Sequence, residues 1–437
     1  MKVLLITDEE WNDVVYANNI LTNWFYGFDA EFAQIYCSPG LPYNNICQHY
    51  FQITDMQMVL SLFLKGGRAG AMVQNPDTIQ SIEASKKNVQ RQGYYLWFKK
   101  LSLYIHTPMM VVRDAIWTWG RYDKTALETF VRDFNPDIVF CPRLVTPKMM
   151  RLEKIVSAMT NAPFIAFTAD NESSLNCYSW SPLFWMRRIA INRAFKKHVQ
   201  LYSHYFMFSE EQASDYKREY NVPTSCLYKC GDFNLDLAPK IISRPIRMIY
   251  AGRLYCNRWK TLAAVGEALQ TINKEKERIY LDIYTVEKLS KEQERVLSKD
   301  KFVYVHSAIS SDRLALEYKN ADIALHVESF DKANRMATHY SFSTKIIDLM
   351  ASTCAIMAIC WECHAGYQYL KKHDAAFCIS SYDDILPVLK TICEHPSLIG
   401  EYARKAWYCG TENHTREKVH GQIKKTFENV IRQKTNA

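Results

Sequence analysis

Hydrophobic and polar residues follow two alternating patterns along the chain. Short apolar runs bounded by polar turns are followed by longer stretches in which apolar residues recur every three or four positions. The runs are typical of strands buried on both faces, and the longer spacing is typical of amphipathic helices. The pattern therefore predicts an α/β protein made of parallel sheets covered by helices.

The first part of the chain contains five predicted strands and four predicted helices. The strands lie at 3–7, 30–36, 137–141, 164–168 and 205–209, and the helices at 14–24, 125–133, 147–160 and 210–220. A polar stretch with two prolines follows at 236–245 and is interpreted as a linker.

The alternation restarts after this linker. Strands are predicted at 246–251, 280–284, 303–306, 323–327 and 355–359, and helices at 262–273, 390–394, 396–407 and 416–433. We therefore expect a Rossmann-like domain over 1–240 and a second over 246–410, with a final helix at about 411–437 that packs back on the first. Ligands of open parallel sheets bind beyond the carboxyl ends of the strands, so the loops after 246–251 and 323–327 are the first candidates for a site.

The loop after 246–251 is rich in positive charge. It contains Gly252, Arg253, Arg258 and Lys260 within nine residues. Glycine allows a ligand to approach the backbone closely, and arginine can bind a phosphate through two parallel hydrogen bonds. The segment is consistent with a pyrophosphate site, and equally with a solvated basic loop.

The segment after 323–327 carries acids, hydroxyls and a lysine. Glu328 follows the predicted strand, and Ser343, Thr344, Lys345 and Asp348 lie where a helix begins. Ser343 and Thr344 occupy positions typical of N-caps. The N–H groups of a helix N-terminus attract phosphate, so this segment is a second phosphate candidate. The alternative is a capped helix with a surface lysine.

Together these two segments resemble the donor half of bacterial retaining GT-B glycosyltransferases, the group 1 or family 4-like enzymes that include sucrose synthase and mannosyltransferases of polysaccharide assembly. That family has a Gly-Arg-Leu turn followed by a Lys or Arg, here Arg253 and then Arg258 or Lys260. It also has an acid at a late strand end and a second acid on the next helix, here Glu328 and Asp348. The resemblance implies an α/β GT-B fold, with two Rossmann-like domains facing across a cleft. It is clearest over 246–410.

The resemblance also implies an activity. Such an enzyme moves a hexosyl group from a UDP- or GDP-sugar to a glycan or lipid-linked acceptor with retention, here in bacterial cell-surface polysaccharide synthesis, and it needs no metal or other cofactor. Glu328 would contact the donor sugar, and Asp348 would bind the ribose. Asp170, after the strand at 164–168, would contact the sugar or acceptor, although an acid at this position can also simply cap a loop.

The chain departs from the family pattern at three places. Nineteen residues separate Glu328 from Asp348, more than in the family, and the second acid is Asp. Thr353 replaces the usual glycine after the helix, and Asp8-Glu9-Glu10-Trp11 replaces the glycine-rich loop after the first strand. The altered spacing of the acids keeps a non-catalytic nucleotide-sugar-binding protein as an alternative. A sugar-nucleotide epimerase of the same fold is another, although Thr7-Asp8-Glu9-Glu10 does not resemble the loop that such an epimerase needs after its first strand.

Composition adds a location and a candidate surface. The start of the chain does not resemble an export signal, no segment is apolar enough to span a bilayer, and thirteen cysteines fit free thiols, so we expect a cytoplasmic protein. The formal charge is +8, and basic residues are mixed with aromatics over 86–121 and 173–209. This mixture indicates possible peripheral contact with an anionic membrane, or only a basic surface over a core. No motif supports nucleic-acid binding.

The stretch from Cys360 to His364 matches the haem-attachment pattern Cys-x-x-Cys-His. Haem attachment requires export, so we expect buried thiols there and no metal site.

Overall fold

The structure is a computed structural model that describes residues 1–16, 19–75, 106–169, 173–233, 241–297 and 301–435. The chain divides into two compact units. The first contains Met1–Leu227 and His420–Ala437, and the second contains Tyr228–Val419. The observed division lies upstream of the linker expected at 236–245. The segment after Leu227 packs within the second unit, where Gly231 N donates to His414 O at 2.8 Å.

The first unit begins with strands and helices in alternation. Its elements are β1 (Lys2–Thr7), α1 (Ile20–Phe25), β2 (Glu31–Tyr36), β3 (His49–Gln52), α2 (Asp55–Phe63), β4 (Ala71–Val73), α3 (His106–Trp119), α4 (Lys124–Phe134), β5 (Ile138–Pro142), α5 (Pro147–Ser157), β6 (Phe164–Thr168), α6 (Pro182–His198), β7 (Tyr202–Met207), α7 (Glu210–Tyr220) and β8 (Thr224–Cys226).

These strands form one eight-stranded sheet in the order β4-β3-β2-β1-β5-β6-β7-β8. All neighbours pair in parallel except β3 and β4. The central strands carry almost only buried residues, as expected for a sheet covered on both faces. Helix ends follow local chemistry: Ser209 accepts from Gln212 N at the start of α7, and Asn221 ends it in the left-handed conformation.

The second unit continues the alternation. Its elements are β9 (Ile246–Ala251), α8 (Arg258–Ile272), β10 (Ile279–Thr285), α9 (Lys291–Leu297), β11 (Val303–Ser307), α10 (Ser311–Asn320), β12 (Ile323–Val327), α11 (Lys332–Ala337), α12 (Lys345–Ala351), β13 (Ala355–Ile359), α13 (Ala365–Lys372), β14 (Phe377–Ile379), α14 (Ile385–Glu394) and α15 (Ser397–Asn413). The last helix of the chain is α16 (Arg416–Thr435).

The six strands of the second unit are all parallel, in the order β11-β10-β9-β12-β13-β14. This is the strand order of a doubly wound Rossmann sheet, which reverses between its first and fourth strands. Apolar residues of all six strands and of α8, α14 and α15 form a continuous core.

Most of helix α16 belongs to the first unit. Ile423 and Phe427 are fully buried, and the Phe427 ring centroid lies 5.5 Å from that of Phe140 on β5. The same ring lies 6.5 Å from Phe28. An apolar stripe on this helix therefore completes one face of the first sheet.

The hydrophobic pattern located the central strands well, and four of them have the predicted bounds without change: Phe164–Thr168, Ile246–Ala251, Ile323–Val327 and Ala355–Ile359. The predicted helix at 14–24 is wrong at its start, since residues 14–16 are not helical and helix α1 begins at Ile20. The Asn12 side chain accepts from Val14 N and Val15 N, so those donors are held in a turn.

Among the described residues, no helix combines the length and the apolar character that a bilayer crossing requires.

A buried charge network fixes the first unit beside β5. Arg143 Nε donates to Glu153 Oε1 at 2.6 Å, and both side chains are fully buried. His198 Nε2 lies 2.6 Å from Glu153 Oε2, and the Tyr202 hydroxyl donates to the same oxygen. Burial alone would raise the pKa of Glu153, but the charge of Arg143 and the bond from His198 outweigh it and hold the pKa at about 2.

We expect Glu153→Gln to lower the free energy of unfolding by about 3–5 kcal/mol, because it leaves the buried Arg143 charge without its partner. The folded-state pKa of Glu153 is below the ordinary value of 4.5, so its contribution is complete above that pH and is lost as the pH falls towards 2. Urea unfolding at a series of pH values should show the gap between the two proteins narrowing by about 1.4 kcal/mol per pH unit below 4.5.

Glu128→Gln is the matched control. Glu128 pairs with Arg132 one turn away on the surface, at 2.6 Å, and an exposed pair of this kind contributes less than about 0.5 kcal/mol. A gap between wild type and Glu153→Gln that stays constant down to pH 3 would contradict the assignment of the charge to Glu153.

Candidate functional site

The loop after β9 turns sharply before helix α8. Cys256 and Asn257 both adopt the left-handed conformation, with φ of 55° and 58°. The Tyr250 hydroxyl donates to Arg253 O at 2.7 Å, and Leu254 N donates to Glu287 Oε2 at 2.8 Å. The turn is therefore held by its own polar contacts.

Arg258 and Glu328 form a two-point ion pair that joins the start of α8 to the end of β12. Arg258 Nε donates to Glu328 Oε2 at 3.0 Å, and the second contact, to Oε1, is 2.6 Å. The Glu328 side chain is only 3% exposed. Burial raises the pKa of Glu328, and Arg258 opposes this rise. Both charges are satisfied by each other, so neither is presented to a ligand in this conformation.

Lys260 is paired in the same way, though at the surface. Its Nζ lies 3.1 Å from Asp331 Oδ2, which also accepts from Asn257 Nδ2 at 2.6 Å. Of the cations predicted to meet a pyrophosphate, Arg258 and Lys260 thus already have carboxylate partners.

Arg253 and Lys345 differ from these two cations. Within the described ranges neither has a carboxylate within ion-pair distance, and both residues are exposed. Lys345 Nζ donates to Ala251 O at 3.0 Å, which places the ammonium group at the carboxyl end of β9. Although the Lys345 residue as a whole is exposed, its ammonium group lies against the backbone at Ala251 and Gly252, and this desolvation, followed by the charge of Arg258, lowers the pKa of Lys345 to about 8.

Gly252 makes this approach possible. A Cβ built on Gly252 would lie 2.2 Å from Lys345 Nζ, so any side chain there would displace the ammonium group. The sequence analysis expected the glycine to let a ligand approach the backbone, and the group that approaches it here is a side chain of the protein.

The start of helix α12 corrects one expectation. Thr344 occupies the N-cap position but makes no capping hydrogen bond, because its backbone is helical, with φ −57° and ψ −22°. An extended backbone would be needed for its hydroxyl to reach the N–H groups of the first turn. Ser343 and Thr344 are both half-buried, beside Lys345.

Asp348, expected to bind a ribose, accepts from Lys229 Nζ at 2.6 Å and keeps 42% of its side chain exposed. Asp170, the remaining predicted site residue, lies outside the described residues. The structure therefore gathers the second-unit candidates around the ends of β9 and β12, where the strand order reverses.

The first unit has a cavity at the corresponding place, beside the ends of β1 and β5. Its volume is about 480 Å³, and Asp8, Glu9, Glu10, Arg143 and Phe167 are among its lining residues. Burial, and then the nearby charges of Glu10 and Asp8, raise the pKa of Glu9. This size is within the range of small-ligand pockets.

The basic aromatic surface is only partly described, since 76–105 lies outside the described residues. On α6, Arg187 pairs with Asp114 of α3 at 2.6 Å, and Arg188 donates to Ser174 O at 2.6 Å. These two arginines are therefore engaged in contacts within the protein: Arg187 joins α6 to α3, and Arg188 joins α6 to the segment before it. Trp180, just before α6, is 88% exposed.

Sequence reasoning missed one group of residues. His326, Cys360 and His364 are buried and come together beside the end of β12, with their candidate ligand atoms within 4.8 Å of one another. The Cys-x-x-Cys-His pattern contained two of the three. The third depends on the parallel pairing of β12 with β13, in which His326 lies opposite Ala358.

No known sequence family matches this chain, and no curated protein sequence matches it either. Solved structures do resemble it. Anabaena HepE in complex with UDP is 11% identical with a TM-score of 0.59, covering 98% of this chain and 100% of that one. Sucrose-phosphate synthase from Thermosynechococcus elongatus is 10% identical with a TM-score of 0.57, covering 99% and 100%. The chain has the GT-B fold.

A third GT-B structure is larger. The pneumococcal O-GlcNAc transferase GtfA in complex with UDP and GlcNAc is 13% identical with a TM-score of 0.50, over 71% of this chain. This chain spans only 61% of the length of GtfA. At these identities the comparisons establish the GT-B architecture.

We expect Glu328→Gln to lower the free energy of unfolding by about 3–5 kcal/mol, because Arg258 would be left as a nearly buried charge without a partner. The double variant Arg258→Met/Glu328→Gln should recover part of this loss, since neither charge remains. Denaturant unfolding of the single and double variants measures the coupling.

Asp331→Asn, which removes the exposed partner of Lys260, should change stability by less than about 1 kcal/mol. Equal losses for Asp331→Asn and Glu328→Gln would contradict the special role of the buried pair.

Proposed function

We propose that the protein is a glycosyltransferase that moves a sugar from a nucleoside-diphosphate sugar to a glycan or lipid-linked acceptor. The observation that carries the proposal is the pair of cations without carboxylate partners among the described residues, Arg253 and Lys345, at the switch point of a Rossmann sheet. The HepE and GtfA structures are both complexes with UDP, so a UDP-sugar is our first choice of donor, with a GDP-sugar next.

The chemistry follows from the charge of the leaving group. When the bond between the donor sugar and its phosphate breaks, the nucleoside diphosphate leaves with the bonding electrons and gains negative charge. Fixed cations beside that phosphate stabilise the developing charge. Arg253 and Lys345 take this role, and the hydroxyls of Ser343 and Thr344 donate to the phosphates. We propose retention, with the leaving phosphate accepting the proton of the acceptor hydroxyl on the same face of the sugar.

The paired residues take supporting roles. The burial of Glu328 supports its assignment as a positioning residue that holds Arg258 at the start of α8, in place of direct contact with the donor sugar. Asp348 keeps exposed surface and is oriented by Lys229, which suits acceptance of hydrogen bonds from a ribose. The role of Asp170 at the sugar stays a prediction.

The cavity of the first unit is our candidate for the acceptor. Asp8 and Glu9 supply acceptors for sugar hydroxyls, and Leu144, which is 47% exposed, offers an apolar surface for a sugar ring. Asp8 is oriented by Lys148 Nζ at 3.1 Å and by Leu144 N at 3.0 Å. A carbohydrate, which combines many hydroxyls with apolar ring faces, matches this lining.

The peripheral membrane contact and the role in bacterial cell-surface polysaccharide synthesis are further parts of the proposal. Trp180 and Tyr178, 88% and 48% exposed, precede α6, whose exposed residues include Arg193 and Lys197. Exposed aromatics beside cations suit the headgroup region of an anionic bilayer. An enzyme so placed, at the inner face of the plasma membrane, would reach a lipid-linked acceptor.

We expect one nucleoside diphosphate, UDP first, to raise the thermal stability of the purified protein, by about 2.7 kcal/mol at one hundred times its dissociation constant. Arg253→Ala and Lys345→Ala should each weaken binding about tenfold or more, because each removes a charged hydrogen bond to phosphate. Lys260→Ala is the matched control, since Asp331 already pairs with this lysine, and this variant should bind the nucleotide nearly as well as the wild type.

Turnover is then measured as UDP release from UDP-sugars. A folded protein that responds to no nucleotide would contradict the proposal, and binding without turnover would leave a nucleotide-sugar-binding protein.

The same titration has an expected pH dependence. The protonated form of Lys345 binds phosphate, and its pKa in the unliganded protein is about 8. Affinity should therefore be highest below pH 8 and fall by up to about tenfold per pH unit above it. Lys345→Arg, which stays protonated, should remove this dependence. If the affinity of that variant kept the same pH dependence, the dependence would have to be assigned to a group other than Lys345.

Vesicles test the membrane contact. We expect the protein to sediment with phosphatidylglycerol vesicles at low salt and to be released as salt rises, because the attraction is partly electrostatic. Trp180→Ala should reduce the bound fraction several-fold. The exposed Tyr304, on β11 of the second unit, provides a control as Tyr304→Ala. Equal binding by the two variants would contradict the contact at α6.

A further inference from the structure

Three side chains that commonly bind transition metals meet in the interior of the second unit. His326 lies on β12, Cys360 directly follows β13, and His364 precedes α13. Their relative exposures are 5%, 0% and 1%. One nitrogen of each histidine and the cysteine sulfur lie within 4.8 Å of one another.

Three of the imidazole nitrogens in this cluster lack the hydrogen bonds that burial normally requires, whereas the Cys360 thiol donates to His326 O at 3.8 Å. His326 Nε2 has no hydrogen-bond partner, and neither ring nitrogen of His364 has one. Buried polar side-chain atoms are satisfied in most native proteins, since leaving one without a partner costs about 1–3 kcal/mol. Three such atoms, one on His326 and two on His364, therefore call for an occupant that the protein atoms do not supply.

We propose that His326, Cys360 and His364 bind a transition-metal ion of the zinc class. A thiolate and two imidazoles are the ligands of a borderline-soft divalent ion, whereas Mg²⁺ and Ca²⁺ require oxygen ligands. With bonds of about 2.0–2.3 Å, tetrahedral coordination brings the ligand atoms to about 3.5 Å from one another. Small side-chain rotations are enough to close the cluster from its present spacing. A water molecule takes the fourth position, as in zinc sites with three protein ligands.

The neighbours of the cluster leave room for an ion and bring two positive charges near it. A Cβ built on Gly366 would lie 3.2 Å from His326 Nε2, so the glycine keeps the space beside that nitrogen open. The positive charges that act on His326 are those of Arg258, which its two-point pairing with Glu328 neutralises, and Lys345. The thiolate of Cys360 removes one of the two charges of the ion, so the buried site carries a net charge of one.

A bound ion would hold the end of β12 in place. Glu328 follows His326 by two residues, and Glu328 N donates to Ile359 O, the residue before Cys360. A metal bound to His326, Cys360 and His364 joins the same two strand ends. It therefore acts as a structural crosslink that positions Glu328 and Arg258, and it takes no part in the transfer chemistry proposed above.

Metal binding is tested without nucleotide, so its failure would leave the proposed function standing. Metal-free protein is titrated with Zn²⁺, with stoichiometry from inductively coupled plasma mass spectrometry, and with Co²⁺ as an optical probe. We expect one ion per chain and, with Co²⁺, a near-ultraviolet thiolate charge-transfer band with the intense visible bands of tetrahedral coordination. Absence of binding by folded wild type, or Co²⁺ binding without the thiolate band, overturns the proposal.

The variants assign the ligands. Cys360→Ser should abolish the charge-transfer band. Cys360→Ser and His364→Gln should each weaken Zn²⁺ binding by about 100-fold or more, because removing a ligand should weaken binding at least as much as removing a residue that only hydrogen-bonds to a ligand. Cys363→Ser is the matched control, because Cys363 is an exposed thiol in the same loop and outside the cluster. A band that persists in Cys360→Ser, or is lost in Cys363→Ser, overturns the assignment. If Cys360→Ser does not fold, the thiolate band of the wild type and its persistence in Cys363→Ser still decide whether a cysteine other than Cys363 binds the metal.

Discussion

A reversal of strand order constrains both sheets. In the second unit, β10 and β11 lie on one side of β9, and β12 to β14 lie on the other. The loops after β9 and β12 therefore leave the sheet in opposite directions, and a crevice opens between them without any special side chain. The first unit repeats the arrangement between β1 and β5. Backbone topology thus determines where a ligand can approach, and the side chains determine which ligand it is.

The side chains at the second-unit reversal divide into two groups by their partners. Arg258 is neutralised by Glu328, and Lys260 by Asp331, so these cations hold the loops in place. Arg253 and Lys345 have no such carboxylate among the described residues, which is why the proposed function places the phosphates beside them. Counting cations in the sequence would treat all four as equivalent. Their different roles come from the acids that the fold places beside them.

The sequence was most informative where burial is continuous. The strands Ile246–Ala251 and Ile323–Val327 are apolar at all but one position each, so their bounds and the two loops that follow them could be predicted. The predicted helix at 14–24 failed at its start because one side chain, Asn12, competes for the backbone donors.

Contacts between distant residues could not be predicted. Arg258 and Glu328 are 70 positions apart, and His326 meets Cys360 only because β12 pairs with β13 in one register. Nothing in the hydrophobic pattern specifies that pairing. The same limit applies to Thr344, whose residue type favours an N-cap but whose backbone conformation, set by its surroundings, prevents one.

The first unit is discontinuous in sequence, since it includes Met1–Leu227 and residues from His420 onward, with the whole second unit between them. Domains generally fold in the order in which the ribosome delivers them. Here, Ile423 and Phe427 cover a surface of the first sheet, and this surface stays exposed while the entire second unit is synthesised. The first unit is therefore begun first and completed last, and its apolar face needs protection from nascent-chain aggregation throughout that interval.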